Sequence, residues 1–271
     1  MKNLKTLMLA GAGAMLVAQS ADAAMTYANG DLLLGFRKDA ATSNLEVNLG
    51  SINQIKNIAG TGQVLDFSTK FTSADILAGV GTVGAGSLNN AIWSVSGSIN
   101  ALNQNGITAG TRSVWLTSAR GINSADVNTQ TTPWTRAASQ GSISSAVLTV
   151  GGGFAAANGN AGSTTAAVIA NGANSYHDNI GDGGDFATFQ GNIENTLSGT
   201  FTTGGTAARS DLYELQQGAG NGTFLGYFEL GTTGALTFVA VPEASSYATA
   251  FGAALMALAL MRAHRKSEAH S

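Results

Sequence analysis

A short acidic stretch in glycine-rich surroundings is the first candidate for chemistry in this sequence. Between His177 and Asp185 the chain places Asp178, Asn179 and Asp182 among three glycines. Carboxylate and amide oxygens in such a turn are the ligands that calcium prefers. The spacing matches neither the EF-hand loop nor the repeated nonapeptide calcium motif. A polar turn is therefore favoured, and a calcium site formed by Asp178, Asp182 and Asp185 is the alternative.

A catalytic triad has little support in the sequence. It requires a histidine base, and His177 is the only histidine before residue 241. No G-x-S-x-G nucleophile elbow occurs. We therefore expect His177 to be a solvated loop residue. A pair of catalytic carboxylates for glycoside hydrolysis could be drawn from the acidic residues, but nothing in the sequence places two of them across a cleft.

Three tryptophans could stack against sugar rings: Trp93, Trp115 and Trp134. Trp93 and Trp115 lie within strand-like runs, which favours packing in the core. The glycine-rich segments are diffuse and do not follow a strand as a phosphate-binding loop would. The sequence therefore predicts no catalytic residue and no cofactor, with calcium as the single alternative.

Composition excludes several classes of function. Residues 24–240 carry 8 Lys and Arg against 13 Asp and Glu, a net charge near −5, which disfavours nucleic acid as a partner. Cysteine is absent from the chain, so disulfides, thiol nucleophiles and zinc-thiolate sites are excluded. Only 11% of residues are charged and 36 are glycine, so amides and hydroxyls must hydrate the surface.

Short runs of alternating apolar residues, separated by Gly, Asn and Ser clusters, predict a mainly β fold. The expected strands are Asp31–Arg37, Leu45–Leu49, Ile92–Ser96, Ser113–Ser118, Thr223–Leu230 and Ala235–Val239. The last two form a hairpin through a glycine-containing loop. No internal repeat or linker is visible, so we expect a single β-sandwich-like, jelly-roll-type domain over residues 24–240.

A few short helices are expected between the strands. Residues 51–58 and 73–77 have helical spacing, and residues 162–170 and 186–197 are further candidates. Residues 141–172 have few large side chains. That stretch is either a surface loop or a helix that packs through small residues.

The N-terminus has the three parts of a secretory signal peptide. Lys2 and Lys5 precede the apolar run Leu7–Ala18, and Ala21 and Ala23 form a small-x-small cleavage pattern. The apolar run is shorter than the about 20 residues that span a bilayer. We therefore assign residues 1–23 as a signal peptide, which predicts the Sec translocon and signal peptidase as partners.

The C-terminus also has three parts. Pro242 ends the β body, since it lacks an N–H and disfavours helix at Val241. Residues 247–261 are uncharged and predominantly apolar, and predict a membrane helix. Arg262, Arg265 and Lys266 follow within the basic tail 262–271, which would stay cytoplasmic by the positive-inside rule.

Residues 241–271 resemble the PEP-CTERM sorting signal. Val241, Pro242 and Glu243 begin the motif at 241–245, although Ala244 stands where the family usually has a second proline. The segments YANGDLLLGFR, SVWLTSAR and SDLYELQQGAGNGTFLGYFELGTTGALTF also resemble secreted PEP-CTERM proteins of Gram-negative bacteria. The resemblance implies processing by the membrane protease exosortase and a cell-surface or extracellular-matrix destination, often with exopolysaccharide.

The sequence thus predicts an exported surface or matrix protein, associated with exopolysaccharide or biofilm. It would be anchored transiently by its C-terminal helix, and its body would be structural rather than enzymatic. A carbohydrate- or calcium-binding extracellular module is the alternative, and an extracellular hydrolase is the third possibility.

Overall fold

The computed structural model describes most of the predicted β body. The described residues are 25–81, 90–100, 106–107, 112–120, 137–157, 163–181, 193–197, 207–217, 222–231, 233–241, 256 and 261, with the backbone alone given at 137–140.

The described residues form ten strands and four helices. The strands are β1 (Asp31–Arg37), β2 (Ser43–Ser51), β3 (Val64–Asp66), β4 (Ile92–Ile99), β5 (Ser113–Arg120), β6 (Ala166–Ala170), β7 (Asn195–Thr196), β8 (Ala208–Gln216), β9 (Thr223–Leu230) and β10 (Leu236–Ala240). The helices are α1 (Asn53–Lys56), α2 (Ser73–Val80), α3 (Ala137–Ala156) and α4 (Tyr176–Asn179). The expected mainly β fold is confirmed.

All ten strands belong to one antiparallel sheet. Its order is β3-β10-β9-β8-β5-β4-β1-β2-β6, and β7 pairs with β4 beside this path. The hairpin expected near the C-terminus is present, with Leu236 opposite Leu230. The last three strands of the body, β8 to β10, are adjacent in the sheet and in the sequence.

The sheet buries both of its faces. Along β1, Leu32, Leu34 and Phe36 point into a first core, which α1 and α2 help to cover. Leu33 points into a second core, which α3 and α4 cover. The first core also joins distant strands. Phe71, which follows β3 at one edge of the sheet, packs against Phe36 in β1 with ring centroids 5.6 Å apart.

The expected sandwich of two sheets does not match the described strands, which form one curled sheet. Strands twist relative to their neighbours, so a ladder of this width curves instead of lying flat. Curvature lets one sheet enclose the first core, and helices take the place that a second sheet would occupy on the other face.

Two local predictions also differ from the structure. Residues 162–170 were expected to be helical, but Ala166–Ala170 form β6 because they pair with Ser43–Val47 at the open edge of β2. In the helix expected at residues 186–197, residues 186–192 lie outside the described residues, and Asn195–Thr196 form β7 instead. There the backbone pairs with Ile92 and Trp93 of β4.

The stretch with few large side chains contains the long helix α3. It runs through Gly151, Gly152 and Gly153, where helix propensity is low. A Cβ at Gly151 would overlap the ring of Tyr27, and one at Gly153 would overlap the backbone of Asn174. The glycines therefore allow close packing. The helical interpretation is confirmed for residues 141–156, whereas Ala166–Ala170 in the same stretch form β6.

Candidate functional site

The acidic stretch begins on helix α4. The Ser175 hydroxyl caps this helix by accepting a hydrogen bond from the backbone N–H of Asp178. His177 was expected to be a solvated loop residue. Instead it lies in α4 with 12% of its side chain exposed, and its Nδ1 is 2.8 Å from Oδ1 of Asp178. The imidazole is therefore largely covered, and the expectation of a solvated loop residue was wrong.

The calcium alternative stays a prediction. The Asp178 side chain is 43% exposed, whereas Asp182 and Asp185 lie outside the described residues. Within the part of the chain that the structure describes, no group of three or more His, Cys, Asp or Glu side chains is placed to hold a metal ion.

Beneath α4 lies a buried polar network centred on an arginine–glutamate pair. Arg37, at the end of β1, donates from Nε to Oε1 of Glu194 at 2.8 Å and from Nη2 to Oε2 at 2.7 Å. Both side chains are largely buried, so this two-bond geometry offsets the loss of their hydration. The remaining Nη1 donates to the exposed carboxylate of Asp39 at 2.6 Å. The pair ties the segment before β7 to the end of β1.

Tyr176 connects this pair to the middle of the sheet. Its hydroxyl donates to Oε1 of Glu194 at 2.8 Å and lies 2.6 Å from the hydroxyl of Ser94. Its ring lies over Gly35, where any Cβ would overlap the ring. At the other end, the backbone N–H of Tyr176 donates to Oε1 of Glu46 at 2.7 Å. One residue of α4 thus bonds to groups on β2, β4 and the segment before β7.

Glu46 is the most perturbed carboxyl of this network. Its side chain is fully buried, and Oε2 has no hydrogen-bond partner among the described residues. Burial raises its pKa from 4.5 to about 8, although the hydrogen bond from Tyr176 acts in the opposite direction. Glu46 therefore holds its proton at neutral pH. Burial likewise raises the pKa of Tyr176 well above its ordinary value, with the charge of Glu194 as the next contribution.

The hydrogen bonds of this network hold α4 against the sheet. Arg37, Glu46 and Tyr176 are each at most 7% exposed, and Glu194 is 8% exposed. The charges are matched within the network, and its hydrogen bonds join elements that are far apart in sequence. Sequence reasoning missed all of these residues. The only available signal was a polar residue between apolar neighbours, such as Glu46 between Leu45 and Val47.

A second polar cluster crosses three neighbouring strands. The guanidinium of Arg120 in β5 pairs with the carboxylate of Asp211 in β8, and both are buried. Arg120 also lies over the ring of Tyr227 in β9, 4.5 Å from its centroid. Arg209 donates to Glu229 at 2.6 Å. These pairs stabilise the register of the β5-β8-β9 part of the sheet.

The tryptophan prediction is confirmed for the two described side chains. Trp93 and Trp115 are fully buried in the first core, where they cannot stack against a sugar. Trp134 lies outside the described residues.

The residues expected to direct export and processing lie almost entirely outside the described part of the chain. These are Ala21, Ala23, Pro242, Glu243, Arg262, Arg265 and Lys266. Val241 is described and directly follows the last strand. Within the described residues, no helix has both the length and the apolar character needed to cross a membrane. Of residues 247–261, only Met256 and Met261 are described, and both are helical.

Comparison with known proteins returns no relative. No family model matches the chain, and neither the curated proteins nor the solved structures contain a match.

Proposed function

We propose that this chain is an exported bacterial surface or extracellular-matrix protein with a structural, non-enzymatic body. Sec would export it, signal peptidase and exosortase would process it, and exopolysaccharide would surround it. The order of parts at the C-terminus carries the proposal. Val241, Pro242 and Glu243 are followed by the uncharged, predominantly apolar run 247–261 and then by Arg262, Arg265 and Lys266.

The position of the body between the two expected cuts supports this assignment. Met25 packs in the second core with 4% of its surface exposed, and it lies two residues after Ala23. At the other end, β10 pairs with β9 and β3 and ends at Ala240, two residues before Pro242. Cleavage near either site would leave the described sheet and both cores intact.

The arrangement of the buried charges supports a structural role. Glu194 pairs with Arg37, Asp211 pairs with Arg120, and the Glu214 carboxylate accepts from Nζ of Lys56 at 2.9 Å. A carboxylate held by a buried cation is a poor general base, because ionic pairing stabilises its charged form. These acidic side chains connect elements that are distant in the sequence: Glu194 bonds to β1, Asp211 to β5 and Glu214 to α1.

Intact mass and fractionation of the protein from its native host test the proposal. The experiment compares cells with and without exosortase, and it includes the motif variant Glu243→Gln and the tail variant Glu268→Gln as a matched control. We expect a matrix form that begins at Ala24 and lacks the basic tail. It should appear only when the protease is present, and it should be lost or reduced in Glu243→Gln but not in Glu268→Gln.

A membrane-bound species that keeps residues 262–271 in both strains would contradict the exosortase assignment. It would identify a permanently anchored surface protein instead. A species that keeps residues 1–23 would contradict export by this signal peptide.

A further inference from the structure

A polar groove lies on the α3 and α4 side of the sheet. It has a volume of about 650 Å³ and opens to solvent. Its polar lining comes from the start of β5, one face of α3 and the end of α4, and comprises Arg112, Ser142, Ser145, Thr149 and Asn179. The volume lies within the range of about 300–1,000 Å³ that is usual for small-molecule sites.

Arg112 distinguishes this groove from the rest of the surface. Among the four arginines that the structure describes, Arg37, Arg120 and Arg209 each pair with a carboxylate. The Arg112 guanidinium has no such partner among the described residues, and its buried Nε has no hydrogen-bond partner. A partly buried guanidinium retains strong affinity for an anion, because the fork of N–H donors matches the geometry of a carboxylate.

The backbone of α3 makes room for this side chain. Nη1 of Arg112 would lie 3.3 Å from a Cβ at Gly141, so a larger residue there would press against the guanidinium. Ser142, Ser145 and Thr149 follow at helical spacing, so they lie along one face of α3 beside the cation. Among the described residues that line the groove, none is acidic or aromatic. The groove therefore offers one cation and several neutral hydrogen-bonding groups.

We propose that this groove binds the carboxylate of an acidic saccharide. The Arg112 guanidinium pairs with the carboxylate, while the hydroxyls of Ser142, Ser145 and Thr149 bond to sugar hydroxyls. The Asn179 amide N–H groups already donate to the carbonyls of Ala173 and Ser175, so only its amide oxygen accepts from the sugar. A carboxylate satisfies the Arg112 cation, which has no carboxylate partner among the described residues, and a polyhydroxylated ring satisfies the neutral groups. This assignment goes beyond the proposed function and does not rest on it, since neither export nor processing enters the argument.

Calorimetric titration of the full chain, purified in mild detergent, tests the proposal. The probe is sodium glucuronate. Glucose tests the need for the carboxylate, sodium acetate tests the need for the hydroxyls, and sodium sulfate tests for a general oxyanion site. We expect glucuronate to bind at least about tenfold more tightly than each of the other three, because each lacks part of the matching chemistry.

Two variants locate the site. Arg112→Gln should weaken glucuronate binding by at least about tenfold, because it removes a charge-assisted pair. Lys70→Gln, which removes the same charge outside the groove, should leave the affinity unchanged. The double variant Ser142→Ala with Ser145→Ala keeps the arginine, so it should weaken glucuronate binding and leave acetate binding unchanged. Both serines are exposed on α3, so this variant also serves if Arg112→Gln fails to fold.

The proposal is overturned if the wild-type chain does not bind glucuronate. It is also overturned if Arg112→Gln folds and binds glucuronate with unchanged affinity, or if the serine double variant binds glucuronate as the wild type does. Equal affinity for sulfate and glucuronate would reject the saccharide and leave a general oxyanion site.

Discussion

Replacing Glu46 by glutamine should change how the stability of this protein depends on pH. Glu46 is buried beneath α4, and burial raises its pKa to about 8. Between its ordinary pKa of 4.5 and about 8, the folded protein keeps this proton while the unfolded chain has lost it. The stabilisation from this group is therefore complete below pH 4.5 and declines as the pH rises toward 8. Glutamine resembles the protonated carboxyl and does not titrate.

The size of the effect follows from the two pKa values. One pKa unit corresponds to about 1.36 kcal/mol, so the full range amounts to about 5 kcal/mol. Between about pH 5.5 and 7.0 the carboxyl should reduce the free energy of unfolding by about 2 kcal/mol. The glutamine of the Glu46→Gln variant keeps an oxygen acceptor for the Tyr176 N–H, but its amide donors have no partner where Oε2 lies. The cost of these unpaired donors is nearly constant with pH. It therefore does not affect how the stability difference between variant and wild type changes with pH.

Urea unfolding of wild type and Glu46→Gln over this pH range measures the difference directly. The free energy of unfolding of the variant minus that of the wild type should increase by about 2 kcal/mol from about pH 5.5 to 7.0. Taking the difference removes the contribution of every other titrating group. A difference that stays constant with pH would refute the reasoning, because it would mean that Glu46 is already ionised in the folded protein.

Two further predictions concern the packing of α3 and α4. Gly152→Ala should raise the free energy of unfolding by about 0.5–1 kcal/mol, since a Cβ there meets no described residue within 4 Å and alanine favours helix. Gly153→Ala should lower the free energy of unfolding, because the new methyl overlaps the backbone of Asn174. Chemical denaturation that ranks the two variants in the opposite order would contradict the packing of α3. Tyr176→Phe removes the hydroxyl bonded to Glu194 and should lower the free energy of unfolding by about 1–3 kcal/mol. Thermal or chemical unfolding indistinguishable from wild type would show that the hydroxyl does not support α4.

Much of the local structure could be predicted because its causes are local. Strands β1 and β9 have the predicted bounds, and each is rich in apolar and aromatic residues, which favour strands. Helix α2 begins where predicted, and Thr72 and Asp75 form its capping box. The segment that became β6 was mispredicted as helix, because its five residues are small and aliphatic and fit either structure. Pairing with β2 decided the outcome.

The buried network could not be predicted from the same patterns. Glu46 and Ser94 alternate with apolar residues, as solvent-facing positions of a half-exposed sheet would. Tyr176 and Glu194 lie far from them in sequence. Whether a polar residue on the second face of a strand meets water or another layer depends on what packs there, and that choice involves contacts across the whole chain.

The sequence by itself determined the mainly β character and the positions of most strands, since alternation and turn residues act within a few positions. The same local chemistry defines the two terminal segments on which the sorting proposal depends. Only the tertiary structure decided that the strands form one curled sheet and that α3 and α4 cover its second face. That coverage buries Glu46 and raises its pKa, and it places Arg112 beside the hydroxyls of α3 with no carboxylate partner among the described residues. Burial and charge pairing arise from the three-dimensional arrangement of distant segments.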